Sequence, residues 1–182
     1  MFKKFTRDDI SSRSNIKSSV QRSLRTRFVD QFPNIEEHID EVVPKKSQLT
    51  QVKCQDRLSL YTADGELVFL QQHDDDLIPS LRLVHKLPKD TFPWVRVDRG
   101  AIKFILGGAN IMCPGLTSAG AEMPVSYEKG QLVAIYAEGK EHALAIGRLE
   151  MSTDDITKLN KGIGVTVILF LGDGIWNLGP QI

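Results

Sequence analysis

The chain has 182 residues, 41% of them hydrophobic and 25% charged, with 23 Lys and Arg balanced by 23 Asp and Glu. That composition supplies a globular core, excludes a disordered chain, and excludes a surface coated uniformly in positive charge to hold nucleic acid. Two separated cysteines, Cys54 and Cys113, with no secretory leader and no long apolar run, exclude a disulfide scaffold and a membrane span; the expectation is a soluble cytoplasmic protein.

The charge is unevenly placed. Lys3, Lys4, Arg7, Arg13, Lys17, Arg22, Arg25 and Arg27 face only Asp8 and Asp9 at the head of the chain, and Asp74-Asp75-Asp76 returns the balance later. Such a basic segment is either a local phosphate-facing surface or a solvated helix face. Ile16, Val20, Leu24 and Phe28 predict a helix over 15–31, capped by Ser14 and stopped by Pro33. Asn34 is expected to cap a second helix, with Ile35, Ile39, Val42 and Val43 inward and Pro44 ending it.

The period then changes from helical to alternating. Residues 52–54, 58–62 and 67–71 read as strands, with Asp64-Gly65 as a hairpin turn between the last two. Asp74–Asp76 forms a solvated loop. Pro79 is expected in the first turn of a helix that carries Leu81, Leu83 and Val84 and ends before Pro88. Pro88 and Pro93 flank a polar connector, which divides the chain into a first domain over 1–90 and a second over 92–182.

The second half reads as mostly strand. Residues 94–97 open it, and a short helix over 100–106 follows. Residues 110–113 are extended, and Pro114-Gly115 is expected to bend them sharply. A Gly-, Ser- and Pro-containing loop covers 116–128. Residues 132–137 and 142–151 are strands joined by the turn at 138–141. Ser152 caps a helix closed by Gly162, and a last hairpin pairs 165–171 with 175–178 around Gly172-Asp173-Gly174. The fold class is α+β: a mixed helix and antiparallel-sheet domain, then a small β-barrel with two short helices at its ends.

Catalytic arrangements are absent from the pattern. No nucleophile has a base at a known spacing, and the histidines have no ligand spacing with the cysteines, so neither an enzyme nor a metal or other cofactor is expected. Asp154 and Asp155 read as helix-start carboxylates, Asp64 and Asp98 as turn and strand-end residues, and Cys113 as a packed small hydrophobe. Gly162-Ile163-Gly164 lacks the third glycine of a dinucleotide loop. Trp94 and Trp176 read as barrel core, with base stacking as the alternative.

Binding is better supported, and the stretch that carries it is 97–117. Gly107 and Gly108 break the helix, where positive φ is needed and where bare main chain lets a flat ligand approach. Arg99 and Lys103 lie one turn apart and can face one side. With amide donors at Gly107, Gly108, Ala109 and Asn110 they would form a compact phosphate or nucleotide-edge site. Lys129 and Lys140 are further candidates for the same rim. A second candidate surface is Lys3, Lys4, Lys45 and Lys46, the first pair flanked by Phe2 and Phe5 and the second set off by Pro44.

Val97-Asp98-Arg99-Gly100-Ala101-Ile102-Lys103-Phe104 and the run Gly108-Ala109-Asn110-Ile111-Met112-Cys113-Pro114-Gly115-Leu116-Thr117 resemble the core signature of a PUA domain, an RNA-binding module. The run 108–121 together with 1–5, 44–48 and 77–86 is similar to the malignant T-cell-amplified sequence family, also called translation-machinery-associated proteins, and the likeness spans nearly the whole chain. The resemblance implies a family-specific N-terminal domain followed by a PUA-type pseudobarrel that binds RNA through Arg99, Lys103, Gly107, Gly108, Ala109, Asn110 and Gly115.

It also implies a non-catalytic translation factor at the small ribosomal subunit. That factor works with a density-regulated-protein-like partner carrying the start-codon-reading domain, which this sequence lacks. Recycling, with release of deacylated tRNA, and initiation or reinitiation are the implied roles. The PUA domain would hold the tRNA acceptor end, and the N-terminal domain would meet ribosomal RNA and the partner. Two alternatives stay open: an accessory factor that presents RNA to a modification enzyme, and a protein-interaction scaffold.

Overall fold

The computed structural model describes all 182 residues, which divide into two compact units. One comprises Phe5–Phe92 with Asn177–Ile182; the other comprises Met1–Lys4 with Pro93–Trp176. Neither unit is one continuous stretch of chain. No helix is long and apolar enough to cross a membrane.

The first unit is a five-stranded antiparallel sheet in chain order: β1 (Ile10–Asn15), β2 (Leu49–Cys54), β3 (Leu58–Ala63), β4 (Glu66–Gln72) and β5 (Ile78–Pro79). Asp64 and Gly65 both take positive φ, 51° and 83°, the twist that a two-residue hairpin between β3 and β4 demands. Helices α1 (Ser18–Gln31), α2 (Ile39–Val42) and α3 (Leu81–Lys86) accompany the sheet. Phe28 and Phe69 are fully buried, with ring centroids 5.0 Å apart; Phe28 also lies 5.4 Å from Phe32 and 6.2 Å from Phe92. These rings contribute a large share of the apolar area that stabilises the unit.

Four expectations for this half need correction. Residues 10–15 form an edge strand that their polar sequence conceals, because pairing with β2 alone recruits them. Helix α1 therefore starts at Ser18 with Lys17 as its N-cap, not with Ser14. The buried stripe of α1 is Gln21, Leu24 and Phe28, so Val20 is 45% exposed and Gln21 points inward. The Gln21 amide donates to the Ser47 carbonyl at 2.7 Å and its Oε1 accepts from the Leu49 amide at 3.1 Å, so this buried polar group is satisfied. Pro79 pairs in an edge strand opposite Phe69, where no ladder N–H is required, and Ser80 caps α3 by accepting from the Leu83 amide. Asn34 caps nothing; its side chain donates to the Asp90 carbonyl beside a 3-10 segment, Pro33–His38.

The second unit is a curled five-stranded half-barrel built from β6 (Trp94–Val97), β7 (Ile111–Met112), β8 (Leu132–Ala137), β9 (Ala145–Leu149) and β10 (Ile163–Phe170). The strand order is β6-β8-β9-β10-β7, parallel between β6 and β8 and antiparallel elsewhere. Val95, Val97, Ile135, Leu149, Val165 and Val167 point into one core with Cys113, which is fully buried. Helices α4 (Ile102–Ile105), α5 (Pro114–Thr117) and α6 (Thr153–Leu159) accompany the sheet.

Here too the details differ from expectation. Pro114 does not bend a strand; it opens α5, where its missing N–H is harmless. Asn160, at φ 46°, ends α6 before Gly162 is reached. The segment after Gly174 is a 3-10 turn, Trp176–Leu178, and not a strand. Buried Asp173 holds it: its carboxylate accepts from the Phe170 and Trp176 amides at 3.0 and 2.8 Å.

Candidate nucleic-acid interface

Asp98 ends β6 and starts the helical turn. Its Oδ1 accepts from the Ala101 amide at 3.1 Å and its Oδ2 from the Ser118 hydroxyl at 2.6 Å. A 3-10 turn over Arg99–Ala101 then runs into α4. The helix stops on glycine: the Gly107 amide donates to the Phe104 carbonyl, Gly108 to Ile105, and Ala109 back to Phe104. Gly108 sits at φ 91°, a conformation that L side chains rarely adopt. The expectation that the amides of Gly107, Gly108 and Ala109 face a ligand is thereby overturned, because helix termination uses all three. The Asn110 side chain is also engaged, its Oδ1 accepting from the Val167 amide at 3.0 Å and pinning β10.

What the glycine break leaves is space. A cleft of about 630 Å³ is lined in part by Gly100, Ala101, Ala109 and Gly115, whose small side chains keep it open, and by Phe104, Met112 and Ile163. Those three large apolar side chains are 59%, 49% and 41% exposed. Their grouping in one concavity distinguishes them from apolar residues scattered singly over a surface. Sequence reasoning missed them. The signal available was phase: Ile102 and Ile105 are the inward residues of this helix, and Phe104 between them is out of register.

Arg99 and Lys103 are exposed beside the cleft but do not line it. Neither makes an ion pair. The Lys103 ammonium lies 5.0 Å from the Phe104 ring centroid, which ties one cation to the apolar wall. The Arg99 guanidinium lies against Gly139 in the turn before β9, the turn that also carries Lys140. Lys129 and Lys140 do not line the cleft. The arrangement suits a ligand with a flat apolar face and a negatively charged edge, such as an unstacked nucleotide.

The other candidate cations separate. Lys3 lies in the second unit, its ammonium donating to the Gly107 carbonyl at 3.0 Å. Lys4 is exposed in the same segment. Lys45 and Lys46 line a different groove, of about 590 Å³, in the first unit together with Arg22 and Arg25. Arg25 is committed there: it donates to the Val43 carbonyl and pairs with Asp40 at 2.5 Å. The hydrogen bond from Arg25 holds the Asp40 carboxyl below its usual range.

Residues 4–88 match the Pre-PUA-like domain and residues 93–171 the PUA domain. The chain is 59% identical to Translation machinery-associated protein 20 of Saccharomyces cerevisiae over the full length of both. It is 46% identical to Malignant T-cell-amplified sequence 1-A of Xenopus laevis over 98% of each chain, and 45% identical to Malignant T-cell-amplified sequence 2 of Homo sapiens over the same share. Among solved structures, a hypothetical protein of Pyrococcus horikoshii has the same fold. Its TM-score is 0.75 at 23% identity, covering 92% of this chain and 99% of that one.

Proposed function

Because the chain belongs to the family of translation machinery-associated and malignant T-cell-amplified sequence proteins, we propose that it is a non-catalytic, cytoplasmic RNA-binding translation factor. Its C-terminal domain, over 92–182, takes the unpaired acceptor end of a tRNA. Its N-terminal domain, over 1–90, docks on small-subunit ribosomal RNA through the groove of Lys45 and Lys46. A density-regulated-protein-like partner supplies start-codon reading, and the pair acts in recycling of deacylated tRNA and in initiation or reinitiation.

The observation that carries this reading is the exposed apolar cleft beside two cations that make no ion pair. A base set against Phe104, Met112 and Ile163 leaves its sugar-phosphate edge toward Lys103 and Arg99. Apolar walls fit a base better than a phosphate, because a buried phosphate would need donors, and the amides of 107–109 are already bonded.

The test is titration of an RNA hairpin bearing an unpaired 3′ tail. Phe104→Ala is expected to weaken binding by roughly 5- to 100-fold, the equivalent of one stacked base. Arg99→Ala with Lys103→Ala is expected to lower the log–log salt slope by about 1.4. Unchanged affinity and slope in folded variants would overturn the site and favour a protein-interaction scaffold. Co-sedimentation with small subunits tests the ribosomal part separately.

A further inference from the structure

Lys3 stands at the beginning of a basic run, yet the fold carries it to the end of α4. The segment is anchored there by Phe2, 8% exposed, whose carbonyl accepts from the Gly174 amide at 2.9 Å. The Lys3 ammonium then donates to the Gly107 carbonyl at 3.0 Å, and its Cδ lies 3.7 Å from where a Cβ on Gly108 would be. Arg99 opens the 3-10 turn, Lys103 stands four residues on in α4, and Gly107 lies just past the helix end, where a side chain would abut the Lys103 and Phe104 carbonyls. Lys3 brings a charge to that end of α4 from elsewhere in the chain, and it remains exposed.

We propose that Lys3 is a third phosphate contact of the RNA site, extending the row set by Arg99 and Lys103 past the glycine break. This rests on the reading of the cleft as an RNA site and adds a residue remote in sequence. One ammonium serves two purposes. It binds the Gly107 carbonyl just past the end of α4, and an ammonium has two further N–H donors for a phosphate oxygen.

The experiment uses the full chain and the same tailed RNA hairpin, titrated over a range of salt. Lys3→Gln keeps an amide donor for the Gly107 carbonyl and removes the charge. It is expected to melt like the parent, to bind about two- to fivefold more weakly, and to lower the salt slope by about 0.7. Lys3→Arg is expected to restore the slope, which a helix-capping role alone would not require. An unchanged slope in Lys3→Gln overturns the inference. With Phe104→Ala run in parallel, loss of binding there and none at Lys3 removes the third contact but keeps the cleft. No loss in either variant removes both.

Discussion

The two units handle positive charge in opposite ways. The first holds most of the basic run at the head of the chain, but the fold binds much of it internally. Arg25 is held by Asp40 and the Val43 carbonyl, Arg27 donates to the Asp75 carbonyl, and Arg7 to the Leu178 carbonyl. Near the cleft of the second unit there are fewer cations, and Arg99 and Lys103 are left without carboxylate partners. A count of basic residues therefore points to the first unit, whereas the two cations beside an exposed apolar cleft lie in the second. A guanidinium tied to a carboxylate and a carbonyl must lose both before it can take a phosphate.

Substitutions test this contrast. The largest effect is expected from Phe28→Ala, which empties the aromatic centre of the first unit and should cost about 3–5 kcal/mol in a denaturant titration. Arg25→Ala comes next. It leaves the Val43 carbonyl unsatisfied, so a loss of about 1–3 kcal/mol is expected, with binding of the tailed hairpin unchanged. If Arg25→Ala instead weakened the hairpin and left stability intact, the division between bound and available cations would fail. Gly108→Ala forces a side chain into φ 91° with Phe170 3.5 Å away, and a loss of about 1–2 kcal/mol is expected in a thermal melt. Arg99→Ala and Lys103→Ala, singly, should change stability by less than about 0.5 kcal/mol while weakening the hairpin two- to fivefold, the mirror image of Arg25.

The smallest effect concerns the Cys54 thiol. Burial pushes it up to about 11, so it stays protonated and should resist thiol reagents in the folded protein. Its folded value lies above the unfolded one. The associated stability is therefore full below the unfolded value and declines as pH rises toward 11, and Cys54→Ala should flatten that alkaline slope in a pH-resolved melt. An unchanged slope would place the alkaline sensitivity elsewhere.

Much of the fold was legible in the residues because local and tertiary preferences agree. Leu58–Ala63 and Glu66–Gln72 alternate around Asp64-Gly65, a pair suited to the positive φ the hairpin needs. Ser152 two residues before Asp154 reads as a cap and is one, accepting from the Asp155 amide. Strand β1 was not legible, since ISSRSN has no apolar alternation and owes its conformation to the β2 ladder. Gln21 was not legible either: nothing in a helical pattern announces that a glutamine will face the core to hold Ser47 and Leu49.

The candidate site divides the same way. The helix, the glycine break and the two cations follow from spacing alone, and the long signature from Gly108 onward carries the family likeness. That the amides of Gly107, Gly108 and Ala109 are internally bonded, that Phe104, Met112 and Ile163 converge on one cleft, and that Lys3 returns to the Gly107 carbonyl are facts of three-dimensional placement. Backbone preference and apolar period within a few residues were enough to read the β3–β4 hairpin and the α3 and α6 helices, and the signature was enough for the family likeness. Which cations the protein holds internally and which it leaves without a carboxylate was settled only by the fold, since an ammonium or guanidinium is partnered by whatever comes within about 3 Å, at any distance along the chain.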